Sequence, residues 1–344
     1  MEACCGDVEL VKVLIIKLSS LGDIIHALPT LNEIKFANPD WQIDWLVNKS
    51  FSSVLLDQDS INKIHTLEDK KLSTYASKIN ELKKENYDIT IDLQGLIKTA
   101  AMSAQLAKRR VGFKSPREKI ASMFYTEKVD AGDVFDVSKH VIEKNLEIAK
   151  YLGAELKQDA SSKNILNYGG IFTKNLNSPN GSNEVCIIPS TTWQTKLWAA
   201  DSWAKLISRL IEEGAKVYIL GTSSDKENID KIFGYMNASI RTNPNLLNCL
   251  DKYSLTELPK FFSSMNLVIG VDTGPLHIAA ASLHGKENYK VLGLYGPSSA
   301  RRSGPYGFKS ISVDELKGIK ASNKRKDYDS MSEISLEQVY GLLN

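Results

Sequence analysis

Residues 266–281, NLVIGVDTGPLHIAAA, constrain the fold more than any other stretch of the sequence. Leu267-Val268-Ile269 is a short apolar run that reads as a buried parallel strand. The chain then turns through Gly270-Val271-Asp272-Thr273-Gly274, and Pro275 opens a small-residue helix over Leu276–Ala281. Proline suits a first helical turn because its missing N–H would have no partner there. A strand, a glycine-containing turn and an alanine-rich helix start put free N–H groups at the strand's carboxyl end. The positive end of the helix dipole points the same way. Thr273 and Gly274 supply the nearest amides, with the Asp272 carboxylate beside them. These residues alone predict either an anion site or an ordinary βα turn of a Rossmann-like sheet.

At 344 residues the chain exceeds one ordinary core and predicts two domains. A hydrophobic fraction of 42% with 24% charged residues is that of a soluble globular protein. A net charge of +2, with no aromatic-basic array, does not mark a nucleic-acid binder. No apolar run approaches a membrane span. The start, MEACCGDVELVK, lacks the basic and apolar regions of a signal peptide. Cys4, Cys5, Cys186 and Cys249 fit neither a disulfide framework nor a metal spacing. A reduced, cytoplasmic protein is expected.

Along the chain, Val11–Ile16 is a buried strand, followed by the loop Lys17–Asp23 and a helix over about Ile24–Phe36. Trp41–Val47 alternates as a second strand, Leu72–Glu85 is an exposed lysine-rich helix, and Tyr87–Leu93 is a further strand. A helix to about Ala107 follows, then Val111-Gly112-Phe113, the basic loop Lys114–Lys119 and an amphipathic helix over His140–Leu152. Between Asn164 and Glu184 the composition turns to Asn, Gly, Ser and Pro, a linker signature. The predicted organisation is an N-terminal domain over 1–165, a linker over 166–184, a C-terminal domain over 185–330 and a terminal helix over 331–344. The second half repeats the α/β rhythm, with strands at Val185–Pro189, Lys216–Leu220, Leu267–Ile269 and Tyr289–Tyr295, the last of these being the final strand. Helices are expected over Ser202–Glu213, Lys226–Met236, Leu255–Ser264 and Ile334–Leu343. Two such domains leave a cleft between strand ends, where ligands of these sheets bind.

Asp23 follows the first strand, placed for a general base toward a hydroxyl or for a helix N-cap. Ser190–Trp198 offers hydroxyls and Lys196 after a strand, suited to a diphosphate or simply a polar loop. Asp225, after another strand, is either a ribose acceptor or a cap of its own helix. Asp57-Gln58-Asp59 has the Asp-x-Asp form of metal-dependent sugar transferases, but no histidine stands near it and no metal site is expected. His277 lies one turn into the helix after Asp272, within reach of a bound phosphate or in a structural role. The sequence has no Walker A loop and no G-x-G-x-x-G, which argues against a dinucleotide oxidoreductase.

Six runs together resemble a known family: IIKLSSLGDIIHALPTL, YDITIDLQGLIKTAA, VGF followed by REKIASMFY, STTWQTKLW, GVDTGPLHIAAA and LYGPSS. They are similar to the bacterial lipopolysaccharide heptosyltransferases of glycosyltransferase family 9, and most to the heptosyltransferase I branch. The resemblance implies an α/β fold of GT-B type, two Rossmann-like domains facing across a cleft. It also implies inverting transfer of L-glycero-D-manno-heptose from ADP-heptose to a Kdo residue of Kdo-lipid A. That chemistry would take place peripherally at the inner face of the inner membrane. Asp23 then falls on the catalytic base. Thr191, Thr192, Lys196, Asp272, Thr273, Gly274 and His277 fall on donor-binding positions. Asp225 stands where relatives carry Glu, and Tyr253 matches a position lining the nucleotide pocket. Lys98 and Arg117 are candidates for the anionic acceptor, and no metal or other cofactor is expected. The alternatives are a family 9 transferase with another sugar or acceptor, and a nucleotide-binding protein without transferase activity.

Overall fold

The computed structural model describes residues 10–156, 166–172, 183–287, 289–317 and 330–343. The extension 1–9, with Cys4 and Cys5, and most of the expected linker lie outside these residues. The chain divides into two compact units, Met1–Asp136 with Val141–Gly170, and Val137–His140 with Ile171–Asn344. The expected linker span therefore divides at Gly170. Leu166–Gly170 belongs to the first unit, where Gln58 Nε2 donates to the Tyr168 carbonyl at 2.9 Å and Asn32 Nδ2 to the Asn167 carbonyl at 2.8 Å.

The first unit carries β1 (Lys12–Ile16), β2 (Gln42–Asn48), β3 (Lys63–Leu67), β4 (Ile89–Asp92), β5 (Arg109–Phe113) and β6 (Glu127–Val129). They pair in the order β3-β2-β1-β4-β5-β6, and every pair is parallel. The second unit carries β7 (Glu184–Ile188), β8 (Lys216–Gly221), β9 (Leu246–Leu250), β10 (Leu267–Val271), β11 (Lys290–Tyr295) and β12 (Lys309–Ser312). Their order is β12-β11-β10-β7-β8-β9, again all parallel. Each sheet thus has the doubly wound Rossmann order, whose strand order reverses beside its first strand. Ligands of such sheets bind outside the carboxyl ends at that reversal, so the two places to inspect are the β1/β4 and β7/β10 ends.

The central strands are apolar because helices cover both faces. In β1 the side chains of Val13–Ile16 are all fully buried. β2 does not alternate as the sequence suggests, since every residue from Ile43 to Val47 is buried. Asp44 tolerates this because Asn62 Nδ2 and the Tyr87 hydroxyl donate to it at 2.9 and 2.7 Å. Those hydrogen bonds, with the His65 ring, outweigh burial and hold its carboxyl below the ordinary range. The single helix expected over Ile24–Phe36 is two, Leu21–Ile25 and Leu28–Ala37. The cause is Pro29, which cannot continue a helix from Ile25 but fits the first turn of a new one. In the second unit Trp198 and Trp203 meet edge to face at 4.9 Å within the core, and Trp198 Nε1 donates to the Ile334 carbonyl at 2.8 Å. That bond ties the terminal segment, whose helix is Leu336–Gly341, to the core of the unit.

A tight contact braces the first site. A Cβ on Gly112 would lie 2.5 Å from the Tyr125 ring, whose hydroxyl donates to Asp92 at 2.8 Å. Gly112→Ala is therefore expected to cost about 1–3 kcal/mol by overpacking. Denaturant unfolding measures this, and a variant as stable as the parent would mean that Tyr125 moves freely.

Candidate active site

At the β1/β4 reversal the loop after β1 is held from the end of β4. Gln94 Oε1 accepts from the Leu18 and Ser19 amides at 2.9 and 3.2 Å. Lys17 Nζ donates to the Leu93 carbonyl at 2.9 Å. Behind Gln94, the fully buried Asp92 accepts from the Gln94 and Gly95 amides, the Thr99 hydroxyl and the Tyr125 hydroxyl. Burial dominates there and pushes its carboxyl up, against those four donors. Asp23 sits at the third position of helix Leu21–Ile25, half-buried, not at the N-cap, which is Ser20. The Ser20 amide and hydroxyl both donate to its Oδ2 at 3.0 Å, forming a capping box. A carboxylate is thus fixed at a sheet switch point by its own turn.

Lys98 and Arg117 are both exposed. Lys98 Nζ lies 5.7 Å over the Tyr75 ring. Arg117 follows Pro116 against Gly95, whose φ of +68° only glycine adopts readily. Asp57 and Asp59 are exposed and flank the buried Gln58, which is the anchor of that turn. Among the described residues no group of three His, Cys, Asp or Glu could hold a metal ion. Cys186 and Cys249 are free and buried.

At the β7/β10 reversal, Asp272 is the hub. Lys196 Nζ lies 2.6 Å from its Oδ2, and Ser298 Oγ donates to the same oxygen at 2.7 Å. His277 Nε2 is 3.4 Å from Oδ1, and Thr191 Oγ1 donates to the Asp272 carbonyl at 3.2 Å. The Lys196 and Asp272 side chains are only 15% and 11% exposed. Burial would raise the Asp272 carboxyl, but the His277 hydrogen bond and the Lys196 charge outweigh it and hold it well below the usual range. Asp272 stays ionised, and its charge is taken up in orienting the cation and the imidazole. Thr273 is the extended N-cap of helix Gly274–Leu283, and its side chain makes no capping bond. The first-turn amides, of which Pro275 supplies none, therefore have no capping side chain at Thr273. Gly270 lets β10 approach β7, because a Cβ there would lie 2.9 Å from that of Ile188.

Thr191, Lys196, Asp272, Thr273, Gly274 and His277 are thus brought together, with Thr192 exposed beside Thr191. Asp225 and Tyr253 stand on the loops after β8 and β9, next along the carboxyl edge. Asp251 Oδ1 joins those loops by accepting from the Ser223 amide at 3.0 Å. Asp225 Oδ2 accepts from the Thr222 amide and hydroxyl at 2.8 and 2.9 Å, so that oxygen caps its own turn. The Tyr253 ring stacks on Phe261 at 4.2 Å. Sequence reasoning missed Ser298 and Gln94 as site residues. Both lie in motifs of the resemblance, LYGPSS and QGLIK, and both follow the carboxyl end of a strand.

A cation, an uncapped helix start and hydroxyls converging after β7 and β10 suit a diphosphate. The model of glycosyltransferase family 9 (heptosyltransferase) matches residues 76–334. The chain belongs to this family. As a member of family 9 it is a glycosyltransferase of the heptosyltransferase class. Among its relatives, lipopolysaccharide heptosyltransferase 1 of Escherichia coli K12 is 28% identical over 314 residues, 86% of this chain and 91% of that one. Lipopolysaccharide heptosyltransferase 1 of Campylobacter coli is 30% identical over 289 residues, 78% of this chain and 81% of the relative. Among solved structures, E. coli heptosyltransferase WaaC with ADP aligns over 97% of this chain and 99% of that chain at 23% identity, with a TM-score of 0.75. E. coli ADP-heptose lipopolysaccharide heptosyltransferase II aligns over 97% and 98% at 19% identity, with a TM-score of 0.70. The two six-stranded parallel sheets make this family 9 fold α/β, of GT-B type.

Proposed function

We propose that the chain transfers L-glycero-D-manno-heptose, with inversion, from ADP-heptose to a Kdo residue of Kdo-lipid A in building the lipopolysaccharide inner core. The observation that carries this reading is the Asp272 cluster, in which Lys196 and an uncapped helix start are prepared for a diphosphate. It is supported by the names of the relatives and by a solved relative, E. coli heptosyltransferase WaaC with ADP-2-deoxy-2-fluoro heptose, aligned at a TM-score of 0.74. In this reading Asp23 removes the proton of the acceptor hydroxyl as its oxygen attacks the anomeric carbon, and ADP leaves from the opposite face. Lys196, Thr191, Thr192 and the Thr273 and Gly274 amides stabilise the charge that develops on the leaving diphosphate. His277, held by Asp272, donates to the same group. Asp225 contacts ribose, Tyr253 lies against adenine, and Lys98 and Arg117 attract the anionic acceptor. The acceptor is lipid-borne, so the enzyme works peripherally at the cytoplasmic face of the inner membrane. No helix among the described residues is long and apolar enough to cross a membrane.

Incubation with ADP-heptose and Kdo-lipid A should give a product one heptose heavier by mass spectrometry. Turnover only with a different sugar or an already heptosylated acceptor would move the chain to another branch of the family. Binding of ADP without transfer to any acceptor would leave a nucleotide-binding protein.

Transfer is also expected to need no divalent metal, because Lys196 and the helix amides offset the charge that a metal carries in other sugar transferases. Initial rates in excess EDTA should match those without it. Activity abolished by EDTA and restored by Mg²⁺ or Mn²⁺ would assign a metal role and return attention to Asp57 and Asp59.

A further inference from the structure

A short 3₁₀ helix, Lys119–Phe124, lies against the helix Ile97–Leu106 in the first unit. Its inward side is Ala121, packed with Ala100 and Tyr125. In a 3₁₀ helix residues i and i+3 eclipse, so Ile120 and Met123 stack along one outward edge. They are 57% and 78% exposed, and Ile97 beside them is 38% exposed. Ile97 is held there by its amide, which donates to Glu118 Oε2 at 2.6 Å. That contact turns the acid of the segment toward the backbone. Lys98, Arg117 and Lys119 stand exposed around the apolar edge. The edge is also tied to the first site. The Glu118 amide donates to the Gly95 carbonyl at 3.0 Å, and Gln94, one residue before, holds the loop that leads into the helix of Asp23.

We propose that Ile97, Ile120 and Met123, ringed by Lys98, Arg117 and Lys119, form a docking edge for the surface of an anionic phospholipid bilayer. The inference rests on the reading of a lipid-borne acceptor and names the surface that meets the lipid. The chemistry selects this occupant through two complementary signals. Exposed apolar side chains of this size enter the acyl boundary, and the flanking cations meet negative headgroups, the pairing that peripheral attachment needs. The edge also lies on the rim of the sheet end bearing the candidate base, where an acceptor emerging from the bilayer would arrive.

The test is co-sedimentation of the full chain with vesicles of phosphatidylethanolamine and phosphatidylglycerol, compared with phosphatidylcholine alone. The parent is expected to sediment with the anionic vesicles, and less so as salt rises. Ile120→Ser combined with Met123→Ser should lower the partition coefficient about 10–100-fold. Lys119→Gln should lower it about five-fold at low salt and little at high salt. Both variants should transfer heptose to a deacylated, water-soluble acceptor at the parental rate, which shows that they fold. A parent that stays in the supernatant, or a double variant that sediments like the parent, would overturn the docking edge. Failure of the parent to use either acceptor would overturn the functional reading instead, and sedimentation would still judge the surface.

Discussion

Asp23→Asn is expected to lower turnover by about 10²–10⁴-fold, the usual contribution of a positioned general base. Asparagine keeps the size of the side chain and an oxygen for the Ser20 amide and hydroxyl, so the turn that fixes this position survives. What it loses is the ability to accept a proton. ADP binding by calorimetry and the melting temperature should therefore stay close to parental values while kcat falls. If Asp23 served only its capping box, the pattern would reverse. Turnover would then hold in Asp23→Asn, and Asp23→Ala would cost about 0.5–2 kcal/mol of stability. Near-normal turnover in Asp23→Asn would remove the base from the mechanism.

Lys196→Ala should affect binding and chemistry together. Removing one preorganised stabiliser of developing charge typically costs about 10²–10³-fold in rate, and here the affinity for ADP should weaken as well. Unchanged ADP affinity would reduce Lys196 to a brace for its loop. Stability supplies a second readout. The Asp272 carboxyl is depressed in the folded protein, against the effect of burial, by His277 and Lys196. A depressed carboxyl adds stability above its unfolded pKa and loses it as pH falls through the folded value. Without Lys196 that contribution shrinks. The melting temperatures of parent and variant should accordingly lie furthest apart near neutrality and converge in acid.

The strand-turn-helix of β10 was legible because its three signals agree: an apolar run, a turn with glycine at both ends and a proline at a helix start. β3, β6, β9 and β12 escaped notice, and they are the four sheet edges. Edge strands are short and partly polar, as in Lys63–Leu67 (KIHTL) and Glu127–Val129 (EKV), so their apolar period is too weak to read. β5 escaped for a different reason, since it opens on Arg109-Arg110 and carries Gly112 where the Tyr125 ring crosses it. Lys196 and Asp272 were singled out separately from local chemistry, but their ion pair spans 76 residues and no local pattern encodes it. Ser298 was invisible for the same reason, as its partner Asp272 lies 26 residues away, in the turn after the neighbouring strand.

In each sheet the strand made first lies in the middle, and this sets an order on folding. The loop leading to Asp23 emerges directly after β1, yet its Leu18 amide is held by a side chain 76 residues later. Before Gln94 has been synthesised and β4 has paired with β1, those contacts cannot form. The second sheet repeats the delay, because β7 waits for β10 before Lys196 meets Asp272. Non-local pairing of this kind is slow, since loop closure precedes any gain from the contacts it allows. Each candidate cluster can thus become ordered only after the central strands of its own sheet have paired. A nascent domain with its early strands and helices in place but no central pairing would have compactness without activity. Recovery of transfer during refolding should therefore lag behind recovery of helical signal.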